Sequence, residues 1–214
     1  MDVLTDNFAL YGRGFLGTLE LTVYASLLAL ALGFLMASFR VAPVRSLRAV
    51  GTVWVTVLRN TPLTLLFFAV VLGLPRFGLV LPFQLFAVLA LGCYTSAFIC
   101  EVLRSGINTV HKGQGEAARS LGMTFGQTLG GVVLPQAFRT VIPPIGSTLI
   151  ALAKNSAIAG AFSVTELLGT YKVLSERGYN IIWSFIWIAV GYLVITLAIS
   201  ALFHLMEKRW GVAR

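Results

Sequence analysis

Charge is scarce in this chain. Only 11% of its 214 residues are Asp, Glu, Lys or Arg and 57% are hydrophobic, whereas about a quarter of a typical soluble domain is charged. One soluble core of this size cannot hide so much apolar surface, so lipid must cover much of it. Other absences narrow the class. Cys93 and Cys100 are the two cysteines. They share a face of one predicted helix but stand too far apart to bond within it, and read as small buried apolar residues. His111 and His204 have no metal-ligand spacing, so no metal site is expected. No Gly-x-x-x-x-Gly-Lys-Ser/Thr loop occurs and no polar stretch is long enough for a nucleotide domain, so no cofactor is expected on this chain. No Ser–His, His-Glu-x-x-His or paired-Asp pattern falls on facing segments, so an enzyme is not expected. The net charge of +8 has no soluble module to carry it as a basic face, which argues against nucleic acid as a partner. Asp2, Asp6 and a lone Arg13 do not make the basic start of a cleavable signal peptide, so the first apolar segment is expected to stay as a helix.

What is present are long apolar runs. In hydrocarbon only helices and closed barrels satisfy the backbone, and unbroken runs fit helices. The expected fold is all-α, one polytopic membrane domain over 1–214, with about five spanning helices at 15–39, 50–74, 83–103, 129–152 and 181–206. Pro135, Pro143 and Pro144 interrupt the fourth, which is expected to face the bundle interior, where protein or a wet cavity covers the freed carbonyls. Small residues in the first span (Ala25, Ala29, Gly33, Ala37) and around the fourth (Gly146, Ala151, Ala153) permit close helix packing. Trp183, Trp187 and Trp210 read as interfacial anchors.

Lys and Arg set the orientation. Arg40, Arg45, Arg48, Arg104, Lys112, Arg119, Arg139, Lys208, Arg209 and Arg214 fall on one side of a five-span chain. Arg13, Arg76, Lys172 and Arg177 fall on the other, and Arg59 and Lys154 lie at membrane depth. The excess predicts a cytoplasmic carboxyl terminus and an amino terminus outside.

Between the third and fourth spans lies a short polar helix with Gly-marked ends. Gly113 and Gly115 precede Glu116, whose charge suits a helix start, and Gly122 suits a helix end. Ala117, Ala118 and Leu121 are expected on one face of about two turns. So short a helix needs tertiary support. It reads equally as a docking element and as an amphipathic connector lying on the headgroups.

Charge at membrane depth demands a reason. Arg59, Asn60, Thr61, Glu101, Lys154, Asn155 and Ser156 would line a cavity for a zwitterion, with cations on its carboxylate and Glu101 on its ammonium. Alternatively Glu101 pairs with Arg59 or Lys154 as a structural ion pair.

Motifs then carry a resemblance. Glu116-Ala117-Ala118, three residues, Gly122, nine residues, and Val132-Val133-Leu134-Pro135 resemble the cytoplasmic loop of ATP-binding-cassette importer permeases. Only Val132, where Ile is usual, departs. Arg104-Ser105-Gly106-Ile107-Asn108-Thr109-Val110, Leu134-Pro135-Gln136-Ala137, Lys154-Asn155-Ser156 and Arg59-Asn60-Thr61-Pro62-Leu63 resemble the polar amino-acid uptake branch, and most of all the glutamate permeases of actinobacteria, over about 20–205. The resemblance implies a bacterial cell membrane protein that imports a polar amino acid. It also implies that Gly115, Glu116, Ala117, Ala118, Leu121 and Gly122, within a loop at about 105–128, dock as a coupling helix in a cytoplasmic ATPase subunit that holds ATP and Mg. A second permease subunit, identical or homologous, and an extracytoplasmic binding protein are the other implied partners. Relatives that carry basic amino acids often have an acidic residue where Asn155 stands, so glutamate is expected first, then glutamine or aspartate. The competing expectation is a stand-alone gradient-driven carrier or channel using Glu101 as its ion site.

Overall fold

Proline writes the first helix boundaries. The computed structural model describes residues 2–210; Arg214, counted in the charge balance, lies outside them. A short α1 (Asp2–Asp6) leads into α2 (Phe8–Val41), which stops at Ala42 with extended backbone, the conformation a following proline imposes. α3 (Arg45–Asn60) stops in the same way at Thr61, before Pro62. α4 (Leu63–Phe68) runs on through a π turn (Ala69–Gly73) and a 3-10 turn (Leu74–Phe77). α5 (Phe83–Thr109), α6 (Lys112–Ser120) and α7 (Phe125–Thr128) follow. A second π turn, Leu129–Val133, feeds α8 (Leu134–Asn155), continued by a 3-10 turn (Ser156–Phe162). α9 (Thr170–Glu176) and α10 (Ile181–Trp210) complete the described chain.

Phe8–Val41, Phe83–Thr109, Phe125–Phe162 and Ile181–Trp210 are each long and apolar enough to cross a membrane. The second expected span, 50–74, is not one straight rod. It is the pair Arg45–Asn60 and Leu63–Phe77, bent by 109° at the break. Pro62 forbids helical backbone at Thr61, so the ladder cannot continue through it. Pro143 and Pro144 leave α8 helical, while Ser147 and Thr148 hydroxyls donate back to the carbonyls of Pro143 and Pro144 at 3.2 and 2.8 Å.

α5 is the axis of the bundle. It packs along α2 and touches α3, α4 and α8, and 61% of its most apolar window is buried against 11% for α10. α5 therefore faces the rest of the chain, and α10 turns most of its surface away from it. Missing side chains make the α2–α5 approach possible: a Cβ on Gly33 would stand 2.5 Å from Ile99 Cγ2. Leu21, Ala25, Ala29, Phe67, Leu91, Ile99 and Leu152 belong to the resulting core. Cys100 is buried, Cys93 half-buried, and both are free thiols.

The loop after Phe162 is pinned from inside. Glu166 is fully buried. Its carboxylate accepts from the backbone N–H of Leu168 at 2.8 Å, from that of Gly169 and from the Tyr192 hydroxyl. Thr18 on α2 accepts from Leu167 N at 2.9 Å. Burial pushes the Glu166 carboxyl above the usual carboxylate range, against the partial pull of the Tyr192, Leu168 and Gly169 donors.

Candidate functional site

The α6 helix begins one turn earlier than its glycines suggested. His111 is its N-cap, with Nδ1 accepting from Gly113 N at 3.2 Å. Gly115 therefore lies inside the helix. Glu116 falls in the second turn rather than the first, where the dipole argument placed it. The far end is as expected. Gly122 sits at φ +83°, its N–H reaches Arg119 O at 3.0 Å, and Met123 N reaches Ala118 O at 3.2 Å. That bond pair is a Schellman stop, which needs a residue tolerant of left-handed backbone. Thr124 then opens α7 with a capping box to Gln127.

Ala117 and Leu121, four residues apart, share an open face that Ala118 does not join. Ala118 is buried (5% exposed), whereas Leu121 is 83% exposed and Ala117 is open too. A helix this short needs support from its own chain: α6 rests on the second π turn and on α7, and Ala118 turns inward there. What remains outside is a knob of Leu121 and Phe125, the latter 77% exposed. The sequence reading missed Phe125. Its signal was a large apolar residue three positions beyond the helix-stopping Gly122.

Deeper in the bundle, a cavity of about 350 Å³ opens between α5 and α8, lined by Tyr94, Phe98, Ser147, Thr148, Ala151 and Asn155 among others. Of the seven residues expected to line such a site, Asn155 alone is on the wall. Arg59 stands beside it, its Cζ 5.4 Å from the centroid of the Phe98 ring. Asn60 and Thr61 turn back on their own helix, donating to Thr56 O at 2.7 Å and Val57 O at 2.8 Å. Lys154 is exposed and makes no ion pair among the described residues. Ser156 is fully buried, donating to Ala153 O at 2.8 Å. The helical register explains the split: Ser147, Thr148, Ala151 and Asn155 share one face of α8, and the residues flanking Asn155 point elsewhere. Tyr94, Phe98, Ser147 and Thr148 went unread because aromatic and hydroxyl residues are ordinary in membrane helices.

Glu101 is engaged by arginines. It pairs with Arg40 of α2, with Arg104 at 2.9 Å and with Arg59 at 3.9 Å. Lys154 is not among its partners; Arg40 reads from sequence as a topology signal, and Arg104 as a topology signal and a motif residue, neither as a partner of Glu101. Arg104 lies one turn after Glu101, a spacing that would have found it.

Fold and site together define a multi-pass helical membrane protein with a solute-sized cavity and an apolar knob on its polar end. Comparison with known proteins gives this class a family. The profile described as binding-protein-dependent transport system inner membrane component matches residues 29–212, and the chain belongs to that family. It is a transport component and not an enzyme. The chain is 39% identical to the probable glutamine ABC transporter permease protein GlnM of Bacillus subtilis, over 98% of this chain and 97% of that one. It is 40% identical to the glutamate transport system permease protein GluC of Corynebacterium glutamicum, over 92% of each. Among solved structures, an amino acid ABC transporter crystallised with histidines superposes with a TM-score of 0.90 at 32% identity, covering 96% of both chains. The MetNI methionine ABC transporter superposes at 0.77 and 22% identity, covering 97% and 98%, which speaks to fold alone.

Proposed function

We propose that this chain is the permease subunit of an ATP-driven importer that carries a polar amino acid into the cytoplasm, with glutamate favoured and glutamine or aspartate next. The observation that carries the reading is the cavity between α5 and α8. It has amino-acid dimensions, an uncharged Asn155 on its wall and the Arg59 guanidinium beside its Phe98 wall. An acidic or neutral side chain suits that surround and a cationic one does not. The names of the Bacillus subtilis and Corynebacterium glutamicum relatives, a glutamine and a glutamate permease, support this cargo.

Arg40, Arg104, Arg139 and Lys208 lie near the end of the bundle that carries α6, and we place that end in the cytoplasm and the amino terminus outside. The Leu121–Phe125 knob, with Gly115, Glu116, Ala117 and Gly122 behind it, is the surface offered to a cytoplasmic ATPase subunit, which holds ATP and Mg. A second permease subunit completes the pathway, and an extracytoplasmic binding protein delivers the solute. Uptake of radiolabelled glutamate by the assembled transporter, challenged with unlabelled glutamate, glutamine, aspartate and arginine, tests the cargo. The acidic and amide amino acids should compete, and Asn155→Asp should raise competition by arginine. Preferential arginine transport by the wild type would overturn the reading.

A further inference from the structure

Tyr94, Phe98, Glu101 and Arg104 recur at helical spacing on α5, running from the cavity wall toward the α6 end. Arg59 reaches this stripe from α3, stacked over Phe98 at 5.4 Å, with Nη1 3.9 Å from Glu101 Oε2. The same Oε2 accepts from Arg104 Nη2 at 2.9 Å, and Oε1 is taken by Arg40. Arg104 thus holds Oε2 by a hydrogen bond, and Arg40 faces Oε1 as an ion pair. Arg59 is held only at the edge, since 3.9 Å is beyond hydrogen-bonding range. Three guanidiniums share one carboxylate, and exposure divides them. The Arg40 side chain is 17% exposed, that of Arg104 37% and that of Arg59 45%. Arg59, the most exposed of the three and the one without a hydrogen bond to Glu101, is the guanidinium least compensated by it.

We propose that Glu101 is a positioning residue that competes with the solute's side-chain carboxylate for Arg59, keeping capture in the cavity weak enough for release. The proposal rests on the reading that the solute enters the α5–α8 cavity. An unopposed guanidinium on an aromatic wall would hold a carboxylate as a strong charge-assisted pair. With Glu101 as an internal acceptor just out of contact, Arg59 has an alternative partner at every moment of the pass. The released carboxylate then meets Arg104, one helical turn beyond Glu101 on the same face. The solute class follows: an amino acid with a second carboxylate is gripped and handed on, whereas its amide analogue, with no charge to exchange, passes Arg59 without the pair.

The test uses the complete purified transporter. Equilibrium binding of radiolabelled glutamate and of glutamine is measured without the binding protein, and maximal uptake is measured in proteoliposomes with it. Glu101→Gln should bind glutamate at least about fivefold more tightly and lower its maximal uptake, with glutamine nearly unchanged. Arg59→Gln leaves Glu101 paired with Arg40 and Arg104, so the bundle should assemble. It should weaken glutamate binding at least about tenfold and glutamine binding far less. This second variant decides the matter if Glu101→Gln fails to assemble. Unchanged or weaker glutamate binding by an assembled Glu101→Gln transporter would overturn the proposal, as would unchanged affinity in Arg59→Gln. A wild-type complex that binds neither amino acid would instead overturn the cavity reading, and this inference with it.

Discussion

Cutting Leu121 and Phe125 back to alanine should detach the ATPase subunit while leaving the bundle intact. The two side chains are 83% and 77% exposed, so the subunit's own fold gains little from them. Full burial of a side chain of this size is worth about 1.5–3 kcal/mol. Scaled to the exposed fractions, the pair would contribute about 2.4–4.8 kcal/mol if a partner covers them completely. At about 1.4 kcal/mol per decade, that is roughly a 50- to 2,500-fold weakening of association. Alanine keeps a methyl group, so the measured loss should fall in the lower part of this range. The assay is titration of the ATPase subunit onto solubilised permease, with a thermal melt of the permease alone as the control for folding. An unchanged melt with a weakened titration is the expected pair of results. A dissociation constant within about twofold of wild type would refute the assignment of this knob as the docking surface.

Three further variants probe the parts that hold the site. Gly122→Ala puts a Cβ on left-handed backbone at φ +83°. That should cost about 1–2 kcal/mol at the end of α6 and raise amide exchange at residue 122 and Met123, whose N–H groups donate to Arg119 O and Ala118 O. Gly106→Ala would place a Cβ 2.1 Å from Val141 Cγ1 on α8; it should destabilise the bundle by about 1–3 kcal/mol in a denaturation series, and Val141→Ala in the same chain should relieve part of that loss. Glu166 has a raised carboxyl pKa, caused first by burial. Its native state therefore holds the proton more tightly than the unfolded chain does. The associated stability is fully present below the unfolded pKa and is lost as pH rises through the folded one. Melting curves from about pH 4 to about pH 7 should show Glu166→Gln with a shallower decline than wild type.

Much of the architecture was legible because it follows from hydropathy and from proline and glycine chemistry. Four of the expected spans stand where apolar runs put them, and the helix stop at Gly122 could be read from one residue. The bend at Pro62 was half legible. The break itself was visible, but its 109° angle depends on how α4 packs under α5, which no local pattern encodes. The start of α6 was misplaced because histidine is an uncommon cap and two nearby glycines looked like a boundary. At the cavity, residue type pointed to Arg59 and Asn155, whereas the facing of Lys154 and Ser156 is a matter of helical phase at the change from α8 to the 3-10 turn. Of the two partners expected for Glu101, Arg59 is present at 3.9 Å and Lys154 is not, while Arg40 was not legible because it is distant in sequence and reads as a membrane-surface charge.

The account's central claim is that this subunit moves its solute only when a separate ATPase works on the α6 end. The direct measurement is glutamate uptake into proteoliposomes holding the permease with and without its ATPase and binding protein, driven in turn by ATP and by an imposed proton or sodium gradient. The account predicts uptake with ATP and the full set of subunits, and none with either gradient alone. Gradient-driven uptake by the permease without the ATPase would contradict it.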